Sequence, residues 1–275
     1  MTQLPQAEVI RKELEKDVVG KRFKDVTITA PALVRRHSDP KELVAALEGR
    51  KIEAVERRGT VLLLRLDEDA VLVVRTGARG VLSRQTATEE AGETTGFVGT
   101  FTTGGALHYT DPDGDGELFV VPADELDDVP ELARKGFDPL AETFTWVSLS
   151  QRLRERNTPL KPLLLDESFV VGLGDVYSDE ILWAAGLSGE RSSARLTSQE
   201  VRRLYRAILE VLYDAVKQGG TVSHEVSVDD DEEERVDDLR VYGHAGQPCA
   251  RCRQPILHET IAGGYESYFC GNCQT

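Results

Sequence analysis

Cys249-Ala250-Arg251-Cys252 and, after seventeen intervening residues, Cys270-Gly271-Asn272-Cys273 hold every cysteine of this 275-residue chain. Two Cys-x-x-Cys knuckles at this separation bring four thiolates to one tetrahedral Zn2+, at Zn–S distances of about 2.3 Å. Four protein ligands leave no open coordination position. The expected metal is therefore structural, one Zn2+ per chain on Cys249, Cys252, Cys270 and Cys273. A segment this short buries too little apolar surface to fold unaided, so metal binding must supply its folding energy. Cysteines confined to such knuckles also fit a reducing compartment, and the cytoplasm is the expected location.

Working back from the knuckles, Asp229–Asp238 carries eight acids and one arginine and reads as a solvated loop. Before it, Thr197-x-x-Glu200 is a capping box that satisfies free N–H groups of a first helical turn. Val201, Leu204, Ile208, Val211, Leu212 and Ala215 mark the buried stripe of that helix, and Gly219-Gly220 ends it. Leu149 and Leu153 share a face of an earlier helix following Thr143. With 33 basic and 48 acidic side chains the net charge is −15, which argues against a generic nucleic-acid binder, because phosphate affinity comes mostly from Lys and Arg. The chain is 40% hydrophobic, enough for real cores, yet no apolar run approaches the roughly 18 residues needed to cross a bilayer. Met1-Thr2-Gln3-Leu4-Pro5 has neither a basic start nor an apolar stretch, so no secretory signal is expected. No heptad repeat points to an oligomer, and a monomer is expected.

The first 125 residues have another texture. Ala7–Lys16 can form a short helix, with Ile10, Leu14 and Val18 on one face. Short apolar runs follow at Ile52–Arg58, Val61–Leu66, Val71–Val74, Phe97–Phe101, Ala106–Tyr109 and Leu118–Val121, separated by turn residues such as Gly59-Thr60 and Gly104-Gly105. That spacing suggests a sandwich or barrel. From about Pro130 the pattern turns helical. The expected organisation is a β domain over 1–125, a helical domain over 130–228 and the metal module over 239–275.

Three stretches, in this order, resemble one family. They are Leu4-Pro5-x-x-Glu8 with Val19-Gly20-Lys21-Arg22; Leu160-Lys161-Pro162-Leu163-Leu164-Leu165-Asp166 running into Val171-Gly172-Leu173-Gly174-Asp175-Val176-Tyr177-Ser178-Asp179-Glu180; and Leu239-Arg240-Val241-Tyr242-Gly243 leading into the knuckles and Gln274. Over essentially its whole length the chain is similar to the formamidopyrimidine-DNA glycosylase / endonuclease VIII family of base-excision repair proteins. The resemblance implies an α+β protein: an N-terminal β-sandwich flanked by helices, a helix-two-turn-helix domain and a C-terminal zinc finger. It also implies DNA as partner. Family members flip a damaged base from the duplex, cut its glycosidic bond, attack the sugar with the N-terminal amine and eliminate the phosphates.

Residue by residue, the resemblance places substitutions at the positions that carry this chemistry. The nucleophile, a proline amine in the family, corresponds to Thr2, whose primary amine could still form a Schiff base. The proton-carrying glutamate corresponds to Gln3, an amide of the same shape that cannot exchange a proton near neutrality. A phosphate-contacting lysine corresponds to Thr60, a phosphate-contacting asparagine to Asp175, and the finger arginine to Tyr265. Lys161 is kept and is a candidate phosphate contact, while Arg75 and Arg79 could preserve some attraction for anions. The residues that fill the gap left by the flipped base correspond to Ala78, Asp113 and Asp115, and carboxylates make a poor wedge in a stacked duplex. Asp111-x-Asp113-x-Asp115-Gly116 also matches the first half of a calcium loop. Its twelfth position is Pro122 where a bidentate Glu is needed, so a solvated acidic turn is expected instead.

These substitutions lead to the expectation of a family fold that has lost glycosylase/lyase chemistry and serves as a binding protein, with weakened DNA affinity and a protein as a further possible partner. Two alternatives stand beside it: a divergent active glycosylase/AP lyase using the Thr2 amine, and a lesion-binding module that does not cut.

Overall fold

The structure is a computed structural model and describes residues 2–86, 91–133, 136–141, 143–220, 239–261 and 263–275. The acidic run over 229–238 lies outside these residues. The chain divides into two compact units, residues 1–134 and 135–275.

In the first unit, α1 (Leu4–Val18) starts with Pro5 in its first turn, where a missing N–H costs nothing. It buries Leu4, Ala7, Ile10, Leu14 and Val18 along one stripe. Two antiparallel four-stranded sheets follow. One orders β1 (Phe23–Ile28), β6 (Thr95–Phe101), β7 (Ala106–Thr110) and β5 (Val81–Gln85); the other orders β2 (Ile52–Arg58), β3 (Val61–Leu66), β4 (Ala70–Arg75) and β8 (Glu117–Pro122). The main core collects Leu62, Leu64 and Leu66 from β3 with Phe23, Phe97, Phe101, Leu107 and Tyr109 from the other sheet. Leu43 and Leu47 of α2 (Pro40–Leu47) join them. Alternate β3 residues Val61 and Leu63 face a second cluster with Val71, Val73, Phe119, Leu126, Val129 and Leu132. Both faces of β3 are therefore covered, which is why its sequence is a near-continuous apolar run and not an alternation.

The sequence predicts six of the eight strands in this unit and carries no clear signal for β1, β5 or α2. In β1 only Phe23 and Val26 are buried, and the register shifts between Phe23 and Asp25, which erases the two-residue period. In β5 only Leu82 is buried. Helix α2 spans eight residues, too few for a periodicity to stand out, and its visible signal is Asp39, which caps Lys41 N ahead of Pro40.

The second unit holds α3 (Trp146–Glu155), α4 (Leu160–Leu165), α5 (Gly174–Ala185), α6 (Ser198–Lys217) and the hairpin β9 (Leu257–Ile261) and β10 (Tyr265–Phe269). The predicted Thr197 box forms with both arms: Thr197 Oγ1 accepts from Glu200 N, and the Glu200 carboxylate accepts from Thr197 N. A second box, Thr145 with Ser148, opens α3 two residues later than expected. The turns from α4 into α5 pass through Gly172 and Gly174, both at positive φ, giving the expected helix-two-turn-helix.

Candidate functional site

In the first unit the site begins at the chain's start. Thr2 is 4% exposed, and its backbone nitrogen donates to Gly77 O at 2.8 Å. Its hydroxyl meets Thr76 Oγ1 and Gly77 O. Gln3 follows as the N-cap of α1 without capping it, and its Oε1 is buried with no hydrogen-bond partner among the described residues. Among the described residues no carboxylate hydrogen-bonds the Thr2 nitrogen or hydroxyl. Thr60 sits in the β2–β3 turn, half-buried, between strands whose arginines are already engaged: Arg57 with Glu8, and Arg58 with Asp127 at 2.6 Å. Burial alone would push the Glu8 carboxyl up, but hydrogen bonds from Arg11 and Arg57 outweigh it and hold it below the usual range.

The acidic turn is built into its surroundings and is not merely solvated. Asp111 accepts from the backbone N–H groups of Asp113, Gly114 and Gly116, at 3.3, 3.0 and 2.8 Å. Asp113 binds Arg79 through both oxygens, each 3.0 Å from Nε, and that hydrogen-bonded guanidinium holds its carboxyl below the usual range. Asp115 accepts from Ala78 N at 3.2 Å. The approach is close: a Cβ on Gly77 would overlap the Asp115 carboxylate, and one on Gly116 would overlap the Tyr109 hydroxyl, which donates to Thr76 O at 2.8 Å. With the three carboxylates committed separately, the calcium-loop pattern makes no cation site. Among the described residues the one group with metal-ligating geometry is the four cysteines.

The same turn collects arginines that are already neutralised. Glu117, 3% exposed, lies 3.1 Å from Arg75, 3.2 Å from Arg36 and 3.5 Å from Arg35. Arg36 also binds Glu131 and stacks 4.0 Å from the Phe119 ring centroid. Neither Arg35, Arg36 nor Glu117 was singled out from sequence. A charged residue heading the apolar run Leu118–Val121 was the available signal, since a carboxylate there requires cations.

In the second unit Lys161, expected to meet phosphate, is fully buried. Its Nζ donates to Asp179 Oδ1 at 2.8 Å and Asp175 O at 3.1 Å, and lies 3.4 Å from Asp175 Oδ1. This corrects the surface-contact expectation: the ammonium is consumed inside the fold. Asp179 also accepts from Ser267 Oγ at 2.7 Å and Tyr268 N at 2.9 Å. Neighbouring Glu180 accepts from the backbone N–H groups of Arg240, Val241 and Tyr242 at 2.8–3.1 Å. Burial pushes both carboxyls up, against the pull of these donors. Asp175 keeps an exposed carboxylate beside the Lys161 ammonium. Tyr265 opens β10 opposite Ile261 and is 38% exposed. Replacing Lys161 by Met should destabilise the chain by about 3–5 kcal/mol in urea titrations, because Asp179 is left charged and buried. The double replacement Lys161→Met with Asp179→Leu should cost less than the single one.

The sulfurs of Cys249, Cys252, Cys270 and Cys273 all lie within 4.8 Å of one another, and Cys249–Cys273 and Cys252–Cys270 are 3.9 and 3.4 Å apart. A tetrahedron with Zn–S bonds of about 2.3 Å has edges of about 3.8 Å, so the sulfur cage fits Zn2+. Trp183 Nε1 donates to Cys249 Sγ at 3.4 Å, and Arg251 covers the Trp183 ring at 4.0 Å.

Comparison with known proteins places this arrangement. Residues 1–118 match the family described as the formamidopyrimidine-DNA glycosylase N-terminal domain, 135–227 the H2TH domain of the same glycosylase, and 246–275 the zinc finger found in FPG and IleRS. The chain is 34% identical over 277 residues to the formamidopyrimidine-DNA glycosylase of Pelotomaculum thermopropionicum, covering 100% of this chain and 99% of that one. It is 35% identical to the Geobacillus kaustophilus enzyme, covering 100% of each. The chain belongs to the formamidopyrimidine-DNA glycosylase family. Among solved structures, Lactococcus lactis Fpg in complex with an abasic site containing DNA superposes with a TM-score of 0.86 at 28% identity, covering 99% of each chain. The same Fpg with an N7-benzyl-Fapy-dG containing DNA gives 0.85 at the same identity and coverage. The finger thus carries one structural Zn2+, as in the family pattern of four cysteines.

Proposed function

We propose that this family member has given up glycosylase and AP-lyase chemistry and works as a non-catalytic binding protein with weakened affinity for duplex DNA. The observation that carries the reading is the set of groups on Thr2, the Gly77 carbonyl and the Thr76 hydroxyl, with an amide and not an acid at the next residue, Gln3, and no carboxylate among the described residues hydrogen-bonded to the nitrogen. Schiff-base formation and elimination both need a proton carrier, which typically supplies 10²–10⁴-fold in rate. Weak DNA binding rests on the arginines near the acidic turn, whose charges this chain already neutralises with Glu117, Glu131 and Asp113.

One observation favours a second reading, an active enzyme using the Thr2 amine. Asp115 packs against Gly77, whose carbonyl holds the Thr2 nitrogen, and it is the acid best placed to substitute for the lost glutamate. Borohydride trapping on duplexes carrying an oxidised base or an abasic site separates the two. The expected result is neither a covalent adduct nor strand cleavage. An adduct that disappears in Asp115→Asn would overturn the non-catalytic reading in favour of the second, and an adduct that survives it would overturn both the non-catalytic reading and the assignment of Asp115 as the acid.

A further inference from the structure

The first turn of α3 leaves two large apolar side chains in solvent: Trp146, 39% exposed, and Val147, 58% exposed. They border an open groove of about 450 Å³ that continues along α3 past Ser150 to Arg154 and is closed on one side by Ser198, the first residue of α6. The Arg202 guanidinium lies 4.9 Å from the Trp146 ring centroid. Glu155, at the far end, is held by the Gln151 amide at 3.2 Å.

The charges here differ from those of the first unit. There, Arg35, Arg36, Arg57, Arg58, Arg75 and Arg79 each meet a carboxylate of the same chain. Arg154 and Arg202 have no carboxylate partner among the described residues, although the chain carries 48 acids. An exposed tryptophan flanked by two unneutralised cations is an amphipathic surface, and its complement is apolar and anionic at once. A polynucleotide fits poorly, since its affinity comes from many phosphate contacts along a strand, and among the described residues Arg154 is the one cation lining this groove, with Arg202 beside it at the Trp146 ring.

We propose that this groove docks an acidic, amphipathic peptide segment of a partner protein. One large apolar side chain of the segment seats over Trp146 and Val147, and carboxylates on either side reach Arg154 and Arg202. The surface belongs wholly to the helical unit, so the proposal stands whether or not the Thr2 chemistry is lost.

The test pans a phage-displayed library of random 16-residue peptides against the full-length, zinc-loaded chain. Enriched peptides should combine Asp or Glu with Leu, Phe or Trp. The corresponding synthetic peptides should shift Trp146 emission on binding, against the buried Trp183. Affinity should fall at least tenfold in Trp146→Ala, in Val147→Asp and in the Arg154→Glu/Arg202→Glu double variant. Thermal melts show that each variant is folded, which is expected because all four side chains lie on the surface. Failure to enrich any peptide, enrichment of basic peptides, or binding unchanged in all three variants would overturn the proposal. So would displacement of the peptides by an oligo-dT 16-mer whose own binding requires Trp146.

Discussion

Stripping the zinc will unfold residues 239–275 and loosen α5, while the β-sandwich of residues 1–134 stays folded. Structural Zn2+ supplies roughly 10–16 kcal/mol of apparent folding energy to modules of this size, more than the rest of the finger can replace. The damage cannot stop at the cysteines. Glu180 takes its hydrogen bonds from the backbone of Arg240–Tyr242, and Asp179 takes two of its own from Ser267 and Tyr268, all on finger segments. When those donors leave, Glu180 loses the backbone N–H groups that satisfy it and Asp179 is left with Lys161 alone, so α5 carries poorly satisfied buried carboxylates that favour its opening. Trp183 reports the event directly. It is 8% exposed with its indole N–H on Cys249 Sγ, so its emission should shift to the red on chelation. Mass spectrometry should find one zinc per chain beforehand, and circular dichroism should retain the β signal afterwards. A finger that keeps its Trp183 emission in a strong chelator would refute the assignment of folding energy to the metal.

If internal ion pairs weaken DNA binding as proposed, neutralising three carboxylates should make that binding salt-sensitive. In Asp113→Asn/Asp127→Asn/Glu131→Gln the ion pairs Arg79–Asp113 and Arg58–Asp127 are removed, and Arg36 and Arg75 are left to share Glu117 with Arg35. Each cation freed to meet phosphate adds about −0.9 to the slope of log K against log salt for duplex DNA. Three such contacts amount to roughly a 40-fold loss of affinity between 50 and 200 mM salt, where the parent chain should show almost none. Glu117 is deliberately retained, because its buried carboxylate holds Arg35, Arg36 and Arg75 together and its loss would leave three like charges at close range. Fluorescence anisotropy on an undamaged duplex gives both slopes. Equal slopes for parent and variant would show that the internal ion pairs do not limit DNA binding.

How much of this was legible in the sequence depended on whether a residue's role is local. The cysteine knuckles, the Thr197 box and the Leu204–Ile208–Leu212 stripe are local patterns, and each lies where it was read. Strands β1 and β5 each show two or fewer buried side chains, and no alternation survives in so short a record. The charged residues were the least legible. Lys161 and Asp179 are eighteen residues apart, and Arg36 and Glu117 eighty-one, so neither pairing leaves any trace in spacing. A lysine read alone looks like a surface charge, and only the fold shows that its carboxylate sits beneath it. The acidic turn misled in the same way. Its carboxylates suggested solvent or a cation, whereas their partners are Arg79 and the backbone N–H groups of Ala78, Asp113, Gly114 and Gly116.

The reach of Asp179 and Glu180 into the finger has a practical bearing on how the protein can be dissected. An expression fragment stopping near residue 220 would strand Glu180 without its donors and leave Asp179 to Lys161 alone, and one starting near 239 would present a hairpin stripped of the helix that its amides hold. The helices and the finger have to be cloned as one piece, with the cut made near residue 134. A finger grafted onto an unrelated scaffold would need that acidic pair grafted with it.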